Sequence, residues 1–357
     1  MSGKAGILTF HRARNYGAVL QAYALQKKVQ KYCETDIIDY QNDEINRGLK
    51  VWTGDAHRGL KQQIRAIAVF FYRLRKKIAF DQFIEHEMIC SEAVEKENLK
   101  ELSKRYDILI SGSDQVWNNE LTDTDNSYFL DFASEKVKKL AYSVSMGDAS
   151  NGLTEEQIAL VESFDLVTVR EKQAAKYLGT QIEKDIQICC DPTLLLTAEE
   201  WEKITSKKLE KKKYIFLFMI EEQQDLIEYA TEIARREGAK LISNKKSISF
   251  WLHPSPKDFL SWIFYAEYVI TNSFHGTVFS LLFHRPFACS GVIAGGKPKN
   301  RIVELLKLVN LANRLIENTQ FQIESPIDWN LAEEQITNYR ENSWTVLQKQ
   351  IEEIGDM

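Results

Sequence analysis

The sequence predicts an α/β protein with two domains, each built around a parallel sheet. Short apolar runs alternate with segments of helical periodicity along most of the 357 residues. Such alternation is typical of parallel strands joined by right-handed helical crossovers. A polar stretch rich in lysine and glutamate, residues 197–213, separates two series of this kind. We therefore expect two Rossmann-like domains that face each other across a cleft.

The first series contains six predicted strands and the helices between them. The turn at residues 15–17 opens the first helix, and residues 60–105 are mostly helical and charged. A further helix runs from Thr154 to Phe164, with Thr154 as its N-terminal cap. The predicted strands are Gly6–Phe10, Asp36–Tyr40, Tyr106–Ser111, Lys139–Met146, Leu166–Val169 and Ile186–Cys190.

The second series predicts four strands, at 214–220, 240–244, 268–271 and 286–292. Three helices alternate with them, over 222–237, 256–266 and 276–283, and an amphipathic helix follows over about 330–354. We expect domains at 1–197 and 198–325, and a C-terminal segment, 326–357, that packs on the second domain or crosses between the two.

The composition is that of a globular protein, with 44% hydrophobic and 27% charged residues. The net charge of -5 and the pI of about 5.8 give no reason to expect a nucleic-acid partner. The basic segment 70–80 is compatible with peripheral contact to an anionic membrane. A core helix with basic flanks is the interpretation that we favour for it.

The five cysteines are scattered and lack the spacing of a metal site. Cys189 and Cys190 lie in an apolar strand, which indicates buried packing. Free thiols and the lack of a signal-peptide core at the N-terminus predict a cytoplasmic protein, with contact to the inner face of the membrane left open. No HExxH or CxxC metal motif is present, and we expect neither a metal nor a cofactor. The chain also lacks a Walker loop, a G-x-G-x-x-G turn and a G-x-S-x-G elbow, which disfavours nucleotide hydrolysis, dinucleotide redox chemistry and esterase chemistry.

Polar residues follow the predicted strands at six places, and this repetition is a stronger signal than any one residue. Because strand ends are rigid, they are good places to hold reactive groups. Each residue also has a structural explanation: Ser113 and Asp114 as caps, Arg170 as an ion-pair partner, Trp117 as a core residue. The polar positions are His11, Arg12, Arg14, Asn15, Ser111–Gln115, Trp117, Asn118, Ser143, Ser145, Gly147, Arg170, Glu171, Asp191, Thr193, Ser273 and His275.

Residues 268–287 are the most informative of these segments. An apolar run ends at Thr271, and Ser273, His275 and Gly276 follow before a predicted helix. A helix that begins at the carboxyl end of a parallel strand presents N–H groups and a partial positive charge, which suit an anion. A histidine at this point can hold a phosphate or donate a proton.

Several motifs together resemble the polysaccharide pyruvyl transferase family. They are ILTFHRARNYGAVLQAYAL, ISGSDQVWN, AYSVSMG, VTVREK, CCDPTLLL, TNSFHGTVFSLLFHRPF and RIVELLKLVNLANR, and they span roughly residues 5–315. The resemblance implies a glycosyltransferase-B-like fold whose active cleft lies between two Rossmann-like domains. It also implies transfer of the enolpyruvyl group of phosphoenolpyruvate to a sugar, commonly as a cyclic ketal, with release of phosphate. The products occur in capsules, exopolysaccharides and secondary cell-wall polymers. The expected acceptor is a sugar or glycan, with a polyprenyl link left open.

The resemblance also implies roles for individual residues. Arg170 matches the Val-Arg-Glu motif and is expected to bind the donor carboxylate or phosphate. His275 is expected to bind the phosphate or to protonate the enol methylene, beside Ser273 and Gly276 on the donor side. Asp114 is the candidate base, and Glu171 a weaker one. On the acceptor side, which we assign to the first domain, the candidates are Asn15, Gln115 and Asn118 for hydrogen bonds, and Tyr16 and Trp117 for a flat face.

One position departs from the family pattern. Many members carry arginine two residues before the histidine, where this chain has Ser273. The candidates for a replacement cation are Arg12, Arg14, Lys297 and Arg301. Two alternatives stay open: a nucleotide-sugar-dependent glycosyltransferase of the same fold, for which Glu304 is a weak ribose ligand, and a non-catalytic glycan-binding member.

Overall fold

The computed structural model describes residues 3–42, 60–147, 149–292, 300–317 and 322–355. Two of the predicted points, the Lys297 cation and the start of the chain at residues 1–2, lie outside these ranges. The chain folds as two compact units. The first comprises Met1–Ala56, Phe80–Leu196 and Tyr339–Met357, and the second comprises His57–Ala79 and Thr197–Asn338.

The first unit is built around a parallel sheet of six strands. They are β1 (Lys4–Leu8), β2 (Glu34–Ile37), β3 (Ile108–Ser111), β4 (Lys138–Val144), β5 (Leu166–Val169) and β6 (Gln187–Ile188). Their order is β2-β1-β3-β4-β5-β6, and every neighbouring pair is parallel. β3 is buried along its whole length and β5 from Val167 onward, because helices cover both faces of a sheet with this connectivity.

The helices of the first unit follow the strands in sequence. Thr154 and Gln157 form the reciprocal capping box of the helix that begins at Glu155, so the predicted start of this helix is confirmed. The helices are α1 (Tyr16–Val29), the end of α2 (Leu60–Glu87), α3 (Leu99–Ser103), α4 (Asn119–Thr122), α5 (Glu155–Glu162) and α6 (Lys172–Leu178). Short 3-10 turns lie at Lys96–Asn98, Asn126–Phe129, Ala149–Asn151 and Pro192–Leu194.

Residues 60–105 are mostly helical, as predicted, but an extended segment separates the helices. Helix α2 ends at Glu87, and the chain then runs extended beside β2. The Ile37 N–H donates to the Ile89 carbonyl at 2.8 Å, and the Ser91 N–H donates to the Ile37 carbonyl at 2.9 Å. These hydrogen bonds satisfy the outer edge of β2, an edge that a helix would have left unpaired.

The second unit contains a second parallel sheet with four strands. They are β7 (Tyr214–Phe218), β8 (Lys240–Ser243), β9 (Tyr268–Thr271) and β10 (Phe287–Cys289), in the order β10-β9-β7-β8. Its helices are the start of α2, α7 (Ala198–Glu202), α8 (Gln224–Arg236), α9 (Ile248–Leu252), α10 (Pro256–Phe264), α11 (Phe274–Leu282), α12 (Asn300–Leu308) and the start of α13 (Trp329–Gly355), with a 3-10 turn at Ala312–Arg314. All neighbouring strands are parallel, so the predicted α/β class with two Rossmann-like sheets is confirmed. In the described ranges, no helix is long and apolar enough to cross a membrane.

The second half of α13 belongs to the first unit and is fixed there at the end of β6. The Cys190 N–H donates to the Ser343 hydroxyl at 2.9 Å. The Arg340 guanidinium donates to the Leu194 carbonyl at 2.5 Å. Both contacts satisfy backbone groups of the segment that follows β6.

All five cysteines are free thiols, and Cys90 is the only one that is not buried. Burial raises the pKa of Cys189 to about 11 and that of Cys190 and Cys90 to about 12. The pKa values of Cys33 and Cys289 are raised for the same reason. The predicted core position of Cys189 and Cys190 is confirmed, since each is 1% exposed.

Arg314 anchors the segment that leads from α12 to α13 in the second unit. Its side chain is fully buried, and its guanidinium donates to the carbonyls of Ile323 at 3.1 Å, of Ser325, and of Pro326 at 3.3 Å. Burial lowers the pKa of Arg314, but these carbonyls replace the water that the cation has lost.

We expect Arg314→Leu to lower the free energy of unfolding by about 3 kcal/mol, because the carbonyls of Ile323, Ser325 and Pro326 lose a charged donor. Urea denaturation followed by circular dichroism measures this. Arg235→Leu is the matched control, since Arg235 is exposed on α8 of the same unit. An equal effect in both variants would contradict the anchoring role.

Candidate functional site

The sheet order of each unit marks where a ligand site is expected. In the first unit the chain passes from β1 to β2 on one side and then returns to β3 on the other side of β1. In the second unit it passes from β7 to β8 and then returns to β9 on the other side of β7. Crevices at such switch points, at the carboxyl ends of the strands, are the usual ligand sites of open α/β sheets. The candidate residues fall into two groups, one at this edge of each unit.

At the switch point of the first unit, β1 and β3 approach closely. The Gly112 N–H donates to the Leu8 carbonyl at 2.8 Å, and the Thr9 hydroxyl donates to the Ser113 carbonyl at 2.8 Å. A Cβ on Gly112 would lie 2.8 Å from the Thr9 Cβ, which is too close. Glycine at this position therefore keeps the two strand ends together.

Arg170 joins the ends of three strands in the first unit. Its side chain is 3% exposed, pairs with Asp191 at 2.9 Å and donates a hydrogen bond to the Ser113 hydroxyl. Burial lowers the pKa of Arg170, but the carboxylates of Asp191, Glu171 and Asp114 outweigh that effect and raise the pKa above its ordinary value. The guanidinium is thus charged and already compensated within the protein. Donor binding by Arg170 stays a prediction and has to compete with this pairing.

Asp114 and its neighbours form a polar cluster beside Arg170. Asp114 has φ 75, a left-handed backbone that aspartate tolerates, and its carbonyl accepts from the Ser145 N–H at 2.9 Å. The Ser145 hydroxyl donates to Glu171 Oε1 at 2.7 Å. The side-chain amide of Asn118 donates to Gln115 Oε1 at 2.8 Å. The carboxylates of Asp114 and Glu171 and the side-chain amides of Gln115 and Asn118 therefore lie on this edge. Such groups can form hydrogen bonds with sugar hydroxyls.

The predicted sugar-stacking role of two aromatic residues is corrected. Trp117 is 1% exposed, stacks on Phe129 with ring centroids 5.1 Å apart, and donates its indole N–H to the Tyr128 carbonyl at 3.1 Å. Tyr16 is 5% exposed and packs against Phe80. Both rings are core residues, because the tertiary packing covers the faces that a sugar would need.

Asn15 and Asn118 have local roles in the backbone as well. Asn15 is exposed and caps α1, since its Oδ1 accepts from the Gly17 N–H at 2.9 Å. Asn118 Oδ1 accepts from the Glu120 N–H at 3.1 Å at the start of α4. In both residues the side-chain oxygen is used by the cap. The amide nitrogen of Asn15 is therefore its group able to contact a ligand, whereas that of Asn118 already donates to Gln115.

Sequence reasoning missed Asp39, which completes a charged cluster at the end of β2. The His11 ring nitrogen lies 3.1 Å from Asp39 Oδ1, and the Arg12 guanidinium donates to both carboxylate oxygens. Burial alone would raise the pKa of Asp39, but the hydrogen bonds from Arg12 and His11 hold it well below its usual range. The predicted strand Asp36–Tyr40 placed Asp39 inside a strand, whereas β2 ends at Ile37. The available signal for Asp39 was its place near the end of the predicted strand.

This cluster predicts a loss of stability in acid. An unfolded aspartate has a pKa of about 3.9. Because the folded pKa of Asp39 is lower, its contribution is complete above about pH 4 and disappears as the pH falls through the folded value. We expect the difference in unfolding free energy between wild type and Asp39→Asn to be nearly constant above about pH 5 and to shrink as the pH falls from about 4 toward about 2. A difference that stays constant over this range would contradict the role of the carboxylate charge.

In the second unit, the end of β9 leads directly into α11. The helix begins at Phe274, two residues earlier than predicted, so His275 lies in its first turn. Ser273 is the cap: its hydroxyl accepts from the Gly276 N–H at 3.3 Å. A Cβ on Gly276 would lie 2.6 Å from Thr271 Oγ1, which itself donates to the Phe218 carbonyl. Gly276 therefore serves the close packing of the helix on the strand, and its N–H is used by the cap.

Arg301 lies near the first turn of α11. Its guanidinium is 5.7 Å from the centroid of the Phe274 ring, in a cation–π arrangement. The Phe274 ring in turn meets the His275 ring edge to face, with centroids 5.3 Å apart. The structure thus brings Ser273, His275 and Arg301 around Phe274 at the carboxyl edge of the second sheet.

Asn272, which sequence reasoning did not single out, fixes this edge. Its Oδ1 accepts from the Ile220 N–H at 2.8 Å, and its Nδ2 donates to the Glu221 carbonyl at 2.8 Å. The loop after β7 is thereby tied to β9 at the switch point. Within the described residues, no group of three or more His, Cys, Asp and Glu side chains is arranged to hold a metal ion.

Solved structures with a similar chain path include two epimerases and a complex with UDP. They are a protein described as a UDP-N-acetylglucosamine 2-epimerase from Listeria monocytogenes (12% identity, TM-score 0.47, 93% of this chain and 94% of that one), Anabaena HepE with UDP and glucose (10%, 0.46, 99% and 100%), and a Neisseria meningitidis UDP-GlcNAc 2-epimerase bound to UDP-GlcNAc (10%, 0.46, 97% and 99%). At these values the similarity supports no conclusion about this chain. No curated protein matches the sequence.

The family comparison is more informative. The model named polysaccharide pyruvyl transferase matches residues 15–292, most of the chain. The matched range holds the polar edge of the first sheet, with Asp114 and Arg170, and the β9–α11 junction of the second, with His275. The chain belongs to the polysaccharide pyruvyl transferase family.

Proposed function

We propose that the protein transfers the enolpyruvyl group of phosphoenolpyruvate to hydroxyls of a sugar in a bacterial-type surface polysaccharide or its lipid-linked precursor. The observation that carries the proposal is the family match over residues 15–292. In this proposal the second unit binds the donor and the first unit binds the acceptor. Phosphoenolpyruvate is the co-substrate, and neither a cofactor nor a metal takes part.

The donor is a small trianion, so its site needs cations and helix-end N–H groups. The first turn of α11 supplies the helix end, with His275 on it. Four cations were considered in place of the family arginine. Arg12 is paired with Asp39, and both Arg12 and Arg14 belong to the first unit, not to the unit that binds the donor in this proposal. Arg301 contacts Phe274, the residue between Ser273 and His275. We therefore assign to Arg301 the cationic role that arginine has in other family members at the position of Ser273.

The chemistry needs an acid for the donor and a base for the acceptor. We assign His275 as the acid that protonates C3 of the enolpyruvyl group, which makes C2 electrophilic. One sugar hydroxyl adds to C2 and gives its proton to Asp114, with Glu171 as the second candidate. A second hydroxyl then displaces phosphate from C2 and closes the ketal. The proton of the first hydroxyl compensates for the proton that C3 takes up as it becomes a methyl group. The proton of the second hydroxyl leaves with phosphate.

The acceptor side has fewer candidate residues than the sequence predicted. Trp117 and Tyr16 are core residues, which leaves Asp114, Gln115, Asn118 and Asn15 as candidate hydrogen-bonding groups. Gln115 and Asn118 are already hydrogen-bonded to each other at 2.8 Å, so the pair is held in a fixed arrangement. Such preorganised polar groups suit a hydroxyl-rich ligand.

Calorimetric titration with phosphoenolpyruvate tests the donor assignment without knowledge of the acceptor. We expect saturable binding that Arg301→Ala weakens by at least about tenfold and that neither UDP nor GDP competes away. Arg235→Ala, an exposed arginine on α8, is the control. Binding of UDP or GDP in place of phosphoenolpyruvate would overturn the proposal in favour of a nucleotide-sugar enzyme.

A further inference from the structure

Helix α2 carries a concentrated positive charge in an acidic chain. The whole protein has a net charge of -5, yet residues 60–80 include no aspartate or glutamate. The basic residues in this interval are Lys61, Arg65, Arg73, Arg75, Lys76 and Lys77. An anionic partner is the one that such a segment attracts.

The same helix exposes large apolar side chains. Phe71 is 62% exposed, Ile67 51% and Ile78 49%. At about 100° per residue, their spacing of four and seven places them within roughly 40° of one another on the helix surface. The earlier interpretation of segment 70–80 as a core helix with basic flanks is therefore corrected: its apolar stripe faces solvent.

Cations border this stripe on both sides. By the same helical spacing, Arg75 and Lys77 lie at roughly 60–100° from the centre of the stripe in opposite directions. Arg75 is exposed, and Lys77 is partly exposed. An apolar stripe with a cation on each side is the pattern of a helix that lies in a membrane interface.

A second helix of the same unit also exposes apolar side chains. Ile248 is 71% exposed and Leu252 48%, one turn apart on α9. Helices α9 and α2 meet where Trp251 stacks on Tyr72, with ring centroids 5.4 Å apart. We call these exposed side chains of the two touching helices, Ile67, Phe71, Ile78, Ile248 and Leu252, the α2–α9 face. Exposed apolar patches built from separate elements mark interaction sites.

We propose that the α2–α9 face docks the second unit on the surface of an anionic lipid bilayer. Apolar side chains enter the interface, and the cations of α2 contact lipid phosphates. The charge pattern decides between this occupant and a second copy of the chain. In a two-fold dimer the face would meet itself and bring the cations of both helices together. The docking proposal does not depend on the identity of the donor or of the reaction.

Vesicle co-sedimentation of the full chain tests the proposal. We expect binding to vesicles of phosphatidylcholine with phosphatidylglycerol to exceed binding to phosphatidylcholine alone by about tenfold or more, and to weaken with salt. Arg75→Gln with Lys77→Gln removes most of the preference for the anionic lipid. Ile67→Ser with Phe71→Ser lowers binding to both vesicle types by about tenfold, because the inserted apolar area is lost.

The matched control is Leu121→Ser with Ile188→Ser, which removes two exposed apolar side chains of the first unit. Sedimentation of this variant is expected to equal that of wild type. Equal sedimentation of wild type and the Ile67/Phe71 variant would overturn the proposal. A concentration-dependent dimer that the Ile67/Phe71 variant abolishes, without vesicle binding by wild type, would identify a second copy as the occupant and would overturn it as well.

Discussion

Arg170→Ala is expected to lower the free energy of unfolding by about 3–5 kcal/mol. The Arg170 side chain is 3% exposed and that of Asp191 0%, with 2.9 Å between their charged atoms. Without the guanidinium, Asp191 is left as a buried charge beside Glu171, and the Ser113 hydroxyl loses its donor. Removal of one partner of a buried pair costs far more than the pair itself contributes.

Two further variants make this expectation specific. Asp191→Asn in the Arg170→Ala background should restore part of the stability, because it removes the uncompensated carboxylate. Arg105→Ala is the control, since Arg105 pairs with Glu92 at the surface, with side chains 59% and 57% exposed. Such surface pairs contribute little to stability, because water screens both charges. Urea denaturation that gives equal losses for Arg170→Ala and Arg105→Ala would contradict the structural role of Arg170.

His275→Asn is expected to reduce pyruvyl transfer by about 100- to 10,000-fold while leaving stability nearly unchanged. Asparagine keeps a polar side chain in the first turn of α11 but cannot protonate the enol methylene. Transfer is measured as phosphate released from phosphoenolpyruvate in the presence of an acceptor glycan. The unfolding free energy, measured alongside, separates loss of the acid from loss of the fold.

The chain offers a matched control for this variant. His284 follows the same helix, stacks on Trp329 and lies 3.3 Å from Glu333. It has φ 49, a conformation that asparagine also adopts, so His284→Asn changes the same chemical group without backbone strain. Transfer at the wild-type rate in His275→Asn, or an equal loss in both variants, would remove His275 from its assigned role.

The sequence predicted the existence of the strands better than their ends. Strands β5 and β9 are found at Leu166–Val169 and Tyr268–Thr271, as predicted, because polar residues follow their apolar runs at once. β1 was predicted at Gly6–Phe10 but spans Lys4–Leu8. Its end is set by pairing with β2 and β3, and that pairing has no local signature.

The site was predictable as a set of strand-end positions but not as a set of contacts. The sequence located Asp114, Arg170 and His275 after strands, and the structure places each of them at a sheet edge. It offered an ion pair for Arg170 and a core position for Trp117 as structural explanations, but it did not identify Asp191 and Phe129 as their partners. Ring burial and ion pairing depend on residues far away in the chain, which helical and strand periodicity do not encode.

The state of the cysteines has a practical consequence for optical experiments. With pKa values of about 11 to 12 for Cys90, Cys189 and Cys190, almost no thiolate exists at neutral pH, and thiolate is the form that reacts with maleimide dyes. A cysteine introduced at an exposed position such as Leu121 would therefore take up a fluorophore selectively. The native cysteines are thus expected to take up little dye, so single-site labelling does not require their prior removal.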